Sequence, residues 1–192
     1  MSLPSPVHIE TERLVLTMPA RQDAPLMVDY FRRNEAHLGP WEPRYPDAFF
    51  TNAYWERRLD DSRQELIADT ALRLVMFRRG DPSRRVVGIT NFTAFVRLAF
   101  NCTNLGYSLD EDAEGQGFMH EGLVAATRYI FEEMGLHRIQ ANYQPHNERS
   151  SRLLGRLGFV IEGYARDYLL IDGEYRDHIL TSLTNPAPAS AD

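Results

Sequence analysis

The chain contains no lysine: all 21 of its basic residues are arginine. A lysine Schiff base is therefore impossible, which excludes pyridoxal-phosphate and class I aldolase chemistry. A phosphate-loop nucleotidase and a protein kinase would each lack an essential lysine. Cysteine is nearly absent too. The single Cys102 forbids an internal disulfide and any multi-cysteine zinc or iron–sulfur centre, and it suggests a reducing compartment. No apolar run approaches the roughly 18 residues of a membrane span. The start, Met1 to His8, lacks a basic and then apolar targeting segment. These features point to the cytoplasm, with no membrane partner and no resident metal.

Basic excess is also missing. The net charge is −6, and the only basic clusters are short arginine pairs such as Arg32-Arg33 and Arg84-Arg85. That argues against direct nucleic-acid binding. The rest of the composition, 43% hydrophobic and 25% charged over 192 residues, is that of one globular domain. The expected organisation is an N-terminal extension over 1–9, a single domain over 10–183 and a disordered tail over 184–192. The tail has too few large apolar groups to pack.

Periodicity and turn signals predict a strand over Arg13–Met18 and a helix capped by Asp23 and ending near Asn34. A proline-fixed loop follows over His37–Pro43, then a helix from Asn52 to about Thr70. Strands are expected over Leu72–Arg78, Val86–Val96 and Asn104–Leu109, and a long helix carries Leu123, Ala126, Ile130 and Met134 on one face up to Gly135. A strand over His137–Tyr143 and a helix over Glu148–Arg156 come next. Two final strands, Phe159–Leu170 and Glu174–Leu183, are joined by the hairpin signal Asp172-Gly173. Strands cluster early and late with helices between them. The fold class expected is α+β (mixed α/β): a central, mostly antiparallel twisted sheet flanked by helices.

Two segments could carry chemistry. Gly115-Gln116-Gly117 lies between a strand and a helix, where free amides and the helix dipole favour an anion. A dinucleotide fingerprint would need a third glycine at 120, where His120 stands instead. A Gly-x-Gly turn is also a common structural device. The second segment, Asn147 to Ser150 and on to Leu157-Gly158-Phe159, reads equally well as a helix with Asn147 as N-cap and Gly158 as C-cap.

Together these segments resemble the GCN5-related N-acetyltransferase superfamily, and within it the Rim-type branch that acetylates protein N-termini. The resemblance rests on His37–Pro43, Leu105–Ser108, Glu114–Met119, Ala141–Asn147 and Asp167–Gly173 with Arg176-Asp177-His178. It implies acetyl-coenzyme A as donor and an N-terminal α-amine as acceptor. That amine would belong to an Ala or Ser residue, with a ribosomal protein as partner. Leu109 would pair with the pantetheine as an added strand. The amides of Gly115, Gln116, Gly117, Phe118 and Met119 would hold the pyrophosphate. Asn147 would bond the cofactor amide, and Ser150 would protonate the departing thiolate. Glu114 departs from the superfamily's usual Gln or Arg and puts a negative charge near phosphate, which is expected to turn away. The loop itself carries no cation, so Arg149, Arg152 and Arg156 are candidates to supply one, with Arg152 meeting a phosphate.

The general base is less defined. The position where some relatives carry a glutamate is Asn142, which cannot accept the proton. Glu42 is the first candidate, Asp167 the second and His37 the third. Trp41 either walls the acceptor pocket or packs in the core, and Glu42 shares that substrate-facing loop. Two other functions fit the same residues: acetylation of a small amine such as an amino acid, polyamine or antibiotic, or a non-catalytic acyl-coenzyme A sensor. Retention of Ser150 beside Asn147 argues against the sensor. Oligomeric state is open.

Overall fold

The computed structural model describes residues 7–186. Eight strands form one sheet: β1 (His8–Glu10), β2 (Leu14–Thr17), β3 (Ala71–Arg78), β4 (Val86–Val96), β5 (Cys102–Leu109), β6 (Arg138–Tyr143), β7 (Val160–Ile171) and β8 (Glu174–Thr184). The helices are α1 (Ala24–Arg33), the single turn α2 (Glu35–Leu38), α3 (Asn52–Ile67), α4 (Phe118–Glu132) and α5 (Glu148–Arg156). The order across the sheet is β1-β2-β3-β4-β5-β6-β8-β7. Every pairing is antiparallel except β5–β6. The mixed, mostly antiparallel architecture expected from the sequence is the one observed.

Both faces of the sheet are covered, and β3 shows why its sequence is almost continuously apolar. Leu72, Leu74 and Met76 pack on one face with Leu123, Ala126 and Ile130 of α4. Val75 and Phe77 pack on the other with Met27, Tyr30 and Phe31 of α1 and Trp55 and Leu59 of α3. A strand buried on both sides loses the polar alternation of a half-exposed one.

The differences from the expected elements have local causes. β1 begins at His8, inside the stretch read as an extension, because three residues are too few to display alternation. α3 ends at Ile67 rather than near Thr70. Asp69 takes a left-handed conformation (φ 54°), and the amide of Thr70 closes back on the carbonyl of Glu65 at 2.9 Å. Asp23 does not cap α1 with its side chain; its carboxylate accepts from the Ala20 amide at 2.9 Å. The 37–43 segment contains the end of α2 and a 3₁₀ turn over Gly39–Trp41. Pro40 sits in the first turn, where a missing N–H costs nothing. The expected disordered tail lies, from residue 187 on, outside the described residues. No helix among the described residues is long and apolar enough to cross a membrane.

Candidate active site

β5 and β6 pair in parallel only over Cys102–Asn104 and Arg138–Gln140. Beyond that they separate, so Leu105–Leu109 is bonded to β4 alone. A strand edge inside a sheet is thereby opened to a ligand. A cleft of about 470 Å³ lies there, lined among others by Trp41, Glu42, Leu109, Met119, Asn147 and Ser150.

One wall is the start of α4. Gly115 and Gly117 both adopt left-handed conformations, φ 70° and 80°, which glycine reaches without a Cβ penalty. Gly117 is the N-cap and offers no side-chain cap, so the first-turn amides, Phe118 and Met119 included, have no capping group. Gln116 turns its side-chain amide back to the carbonyl of Asp112 at 2.8 Å. Phe118 is buried beneath the guanidinium groups of Arg13 and Arg78, at 4.7 and 4.9 Å from the ring centroid. Arg13 also donates to the Gln116 carbonyl at 2.9 Å and is tied to Glu121 at 2.6 Å. Arg13, just before β2, thus braces the loop from roughly a hundred residues away in sequence, and sequence spacing gave no hint of it.

The opposite wall is α5. Asn147 caps it, accepting from the Ser150 amide at 3.0 Å through Oδ1. The capping reading and the binding reading are compatible, because the side-chain NH₂ remains available as a donor. Glu114 does not stand as an uncompensated charge. It accepts from Arg149 at 2.5 Å and lies 3.4 Å from Nε2 of His37, a contact across the mouth of the cleft. Arg152 lines the cleft and pairs with Glu148 at 2.9 Å.

The 37–45 segment contributes His37, Leu38, Trp41 and Glu42 to the cleft. It is pinned by three bonds, two to Asp172 and one to Gln144. The Asp172 amide donates to the Glu42 carbonyl at 3.0 Å, Arg44 reaches Asp172 at 2.8 Å, and Gln144 reaches the Pro40 carbonyl at 3.3 Å. Trp41 is half-buried against the ring of His146, 5.3 Å between centroids. Burial raises the pKa of the Glu42 carboxyl, and a 2.8 Å hydrogen bond from the Tyr45 hydroxyl partly offsets that rise. A carboxylate with a raised pKa is a stronger base at neutral pH. We therefore expect Tyr45→Phe to move the acid limb of the pH–rate profile to higher pH. A limb unmoved or shifted down in a kcat/KM profile would separate Tyr45 from the base.

Asp167 is not brought to this cleft. It is exposed on β7 at an irregularity between Ala165 and Leu169, with φ 50° and its amide donating to Asp177 at 2.9 Å. His37 does reach the cleft, but it faces Glu114.

Directly after Leu109 lies a polar bracket that the sequence did not reveal. Asp110, fully buried directly after Leu109, is held by Arg33 of α1 and by Arg85 at 3.2 Å, and accepts from the Asp112 amide at 3.0 Å. Asn34 accepts from the Glu111 amide at 2.9 Å, and Tyr30 donates to Ser108 at 3.0 Å. Burial alone would push the Asp110 carboxyl up; Arg33, the Asp112 amide and Arg85 outweigh it and hold it below its ordinary value. Its contribution to stability is therefore present above an unfolded pKa of about 3.9 and lost as pH falls through the lower folded value. Asp110→Ala should cost roughly 2–3 kcal/mol. That is less than a fully buried pair, because both arginines keep solvent contact. A Tm lower by about 4–12 °C would register it, and an unchanged Tm would refute the bracket.

A sheet that parts between two parallel strands beside an uncapped helix start is the architecture of an acyl-coenzyme A-dependent acetyltransferase. The chain belongs to the acetyltransferase (GNAT) domain family, whose model matches residues 13–160. It is 42% identical over 181 residues to the ribosomal protein uS5-alanine N-acetyltransferase of Escherichia coli (strain K12), covering 94% of this chain and 92% of that protein. The structure superposes on the ribosomal-protein-S5-alanine acetyltransferase of Vibrio fischeri with a TM-score of 0.89 at 36% identity, over 95% of this chain and 100% of the other. It also superposes on Mycobacterium smegmatis RimJ in complex with a CoA-disulfide, with a TM-score of 0.84 at 26% identity, over 96% and 90%. The protein is an N-acetyltransferase, and its acetyl donor is acetyl-coenzyme A.

Proposed function

We propose that the protein acetylates the N-terminal α-amine of a ribosomal protein, with alanine at the start of uS5 as the principal acceptor, in the cytoplasm. The observation that carries this reading is the 42% identity extending over nearly the whole of both chains. Glu42 and Ser150, the groups needed for proton removal and return, line one cleft.

The donor supplies the acetyl thioester. The main chain of Leu109 holds it along the open edge of β5, and the same strand's amide stabilises the oxyanion. First-turn amides of α4 from the 115–119 loop meet the pyrophosphate, with Arg152 adding a cation from α5. Asn147 donates its free NH₂ to a cofactor carbonyl. Glu42 takes the proton of the incoming amine, and Trp41 positions that amine. An α-amine, with pKa near 8, releases its proton far more readily than a lysine side chain. Ser150 returns a proton to the departing thiolate.

The test compares the N-termini of ribosomal proteins by mass spectrometry in cells with and without the gene. The reading expects uS5 to lose its acetyl group when the gene is removed. An unchanged set of N-termini would overturn it, and acetylation of small amines alone in a thiol-release assay would move the assignment to a small-molecule acceptor.

A further inference from the structure

Tyr107 lines the cleft, and neither the fold nor the mechanism above uses its hydroxyl. Its hydroxyl is buried and has no hydrogen-bond partner of normal geometry. It stands on β5 two residues before Leu109, so both side chains project to the same face of the strand. Both line the cleft with Ser150. Ser150 uses its amide, not its hydroxyl, in the α5 cap, and its hydroxyl is close enough to Tyr107 to act on the phenol. The adjacent Ser151 differs, because Tyr143 donates to it at 3.2 Å. The hydroxyls of Tyr107 and Ser150 therefore face one another in the cleft, with neither engaged by the helix cap.

A serine alcohol is a poor acid for a thiolate. Like water, with a pKa of roughly 15.7, it gives up a proton reluctantly. Donation from Ser150 alone would leave an alkoxide in a partly dry cleft. A phenol delocalises the charge and is far more acidic. Burial pushes the Tyr107 phenol up to about 12, with Ser150 acting on it in the opposite sense, and that still lies well below an alcohol.

We propose that Tyr107 and Ser150 form a two-hydroxyl proton relay to the leaving thiolate, with Tyr107 as the residue that finally bears the charge. This rests on the assignment of Ser150 as the thiolate acid. The C–S bond breaks as the tetrahedral adduct collapses. The Ser150 proton passes to sulfur, the Tyr107 proton passes to the Ser150 oxygen, and the resulting phenolate is reprotonated by water when the product thiol leaves. Tyr107 does not touch the substrate in this scheme; it acts through Ser150.

The experiment compares Tyr107→Phe, Ser150→Ala and the double variant with acetyl-coenzyme A and an alanine-starting peptide. Tyr107→Phe removes a hydroxyl with no standard partner, so the fold and Tm should be retained. A relay predicts a kcat reduced by roughly 10–100-fold, short of a full general-acid loss, with KM for acetyl-coenzyme A nearly unchanged. It also predicts a double variant no slower than Ser150→Ala. The Tyr107→Phe defect should shrink with an acetyl donor whose thiol is more acidic. Wild-type kcat in Tyr107→Phe, with Ser150→Ala slow, would overturn the relay and leave Ser150 in place. Multiplicative losses in the double variant, or a loss expressed mainly in KM, would make Tyr107 a packing residue. Wild-type kcat in Ser150→Ala would instead remove the assignment on which the relay rests.

Discussion

Ser150→Ala is expected to lower kcat by about 10²-fold or more while leaving KM for acetyl-coenzyme A within a factor of about two. The structure separates these quantities because the α5 cap uses the Ser150 amide and the Asn147 side chain, not the serine hydroxyl. Removing the hydroxyl leaves the helix start intact, so Tm should stay within measurement error. What disappears is the proton for the thiolate. Equal losses in kcat and in cofactor affinity, or a lowered Tm, would reduce Ser150 to a structural element of the cap. Steady-state kinetics with a thiol-release readout, together with a thermal melt, decides between these.

Glu42→Gln should have an effect of similar size, about 10²–10³-fold in kcat at neutral pH. Gln preserves the shape and can still accept from Tyr45. The loop stays pinned because Asp172 bonds the Glu42 main chain rather than its side chain. The loss therefore reports proton removal. It should shrink as pH rises past about 8, where the α-amine sheds its proton without help. The wild-type rate should fall with acid at a pH above the usual carboxylate range, because burial raises the pKa of Glu42. A variant whose loss is constant across pH would exclude Glu42 as the base and return attention to His37.

The fold was largely legible in the sequence. The apolar face of α4 and the Asp172-Gly173 hairpin are local signals that tertiary packing did not override. The elements missed were short. β1 and α2 span three and four residues, too few for a period to show. Of the two contiguous segments singled out in the sequence, Asn147–Ser150 lines the cleft, while of Gly115–Met119 only Met119 does. What could not be read are contacts between distant segments. Arg13 against Gln116, Arg33 against Asp110 and Tyr45 against Glu42 depend on how helices sit on the sheet or how a loop turns on itself. Glu114 shows the same limit. Its charge beside the Gly115–Gly117 turn is balanced by Arg149 and His37, a pairing that no sequence spacing indicates. Asp167, the second candidate for the base, lies in an irregularity of β7 that no spacing rule announces and does not line the cleft.

The absence of lysine makes one test of the central claim unusually clean, because the enzyme offers no ε-amine of its own to confuse acceptor mapping. The purified protein is incubated with acetyl-coenzyme A and a peptide that begins with alanine and carries an internal lysine, and tandem mass spectrometry locates the added acetyl group. The account predicts one acetyl group on the alanine α-amine and none on lysine, with a peptide of blocked N-terminus left unmodified. Acetylation of the lysine side chain, or of the blocked peptide, would contradict it.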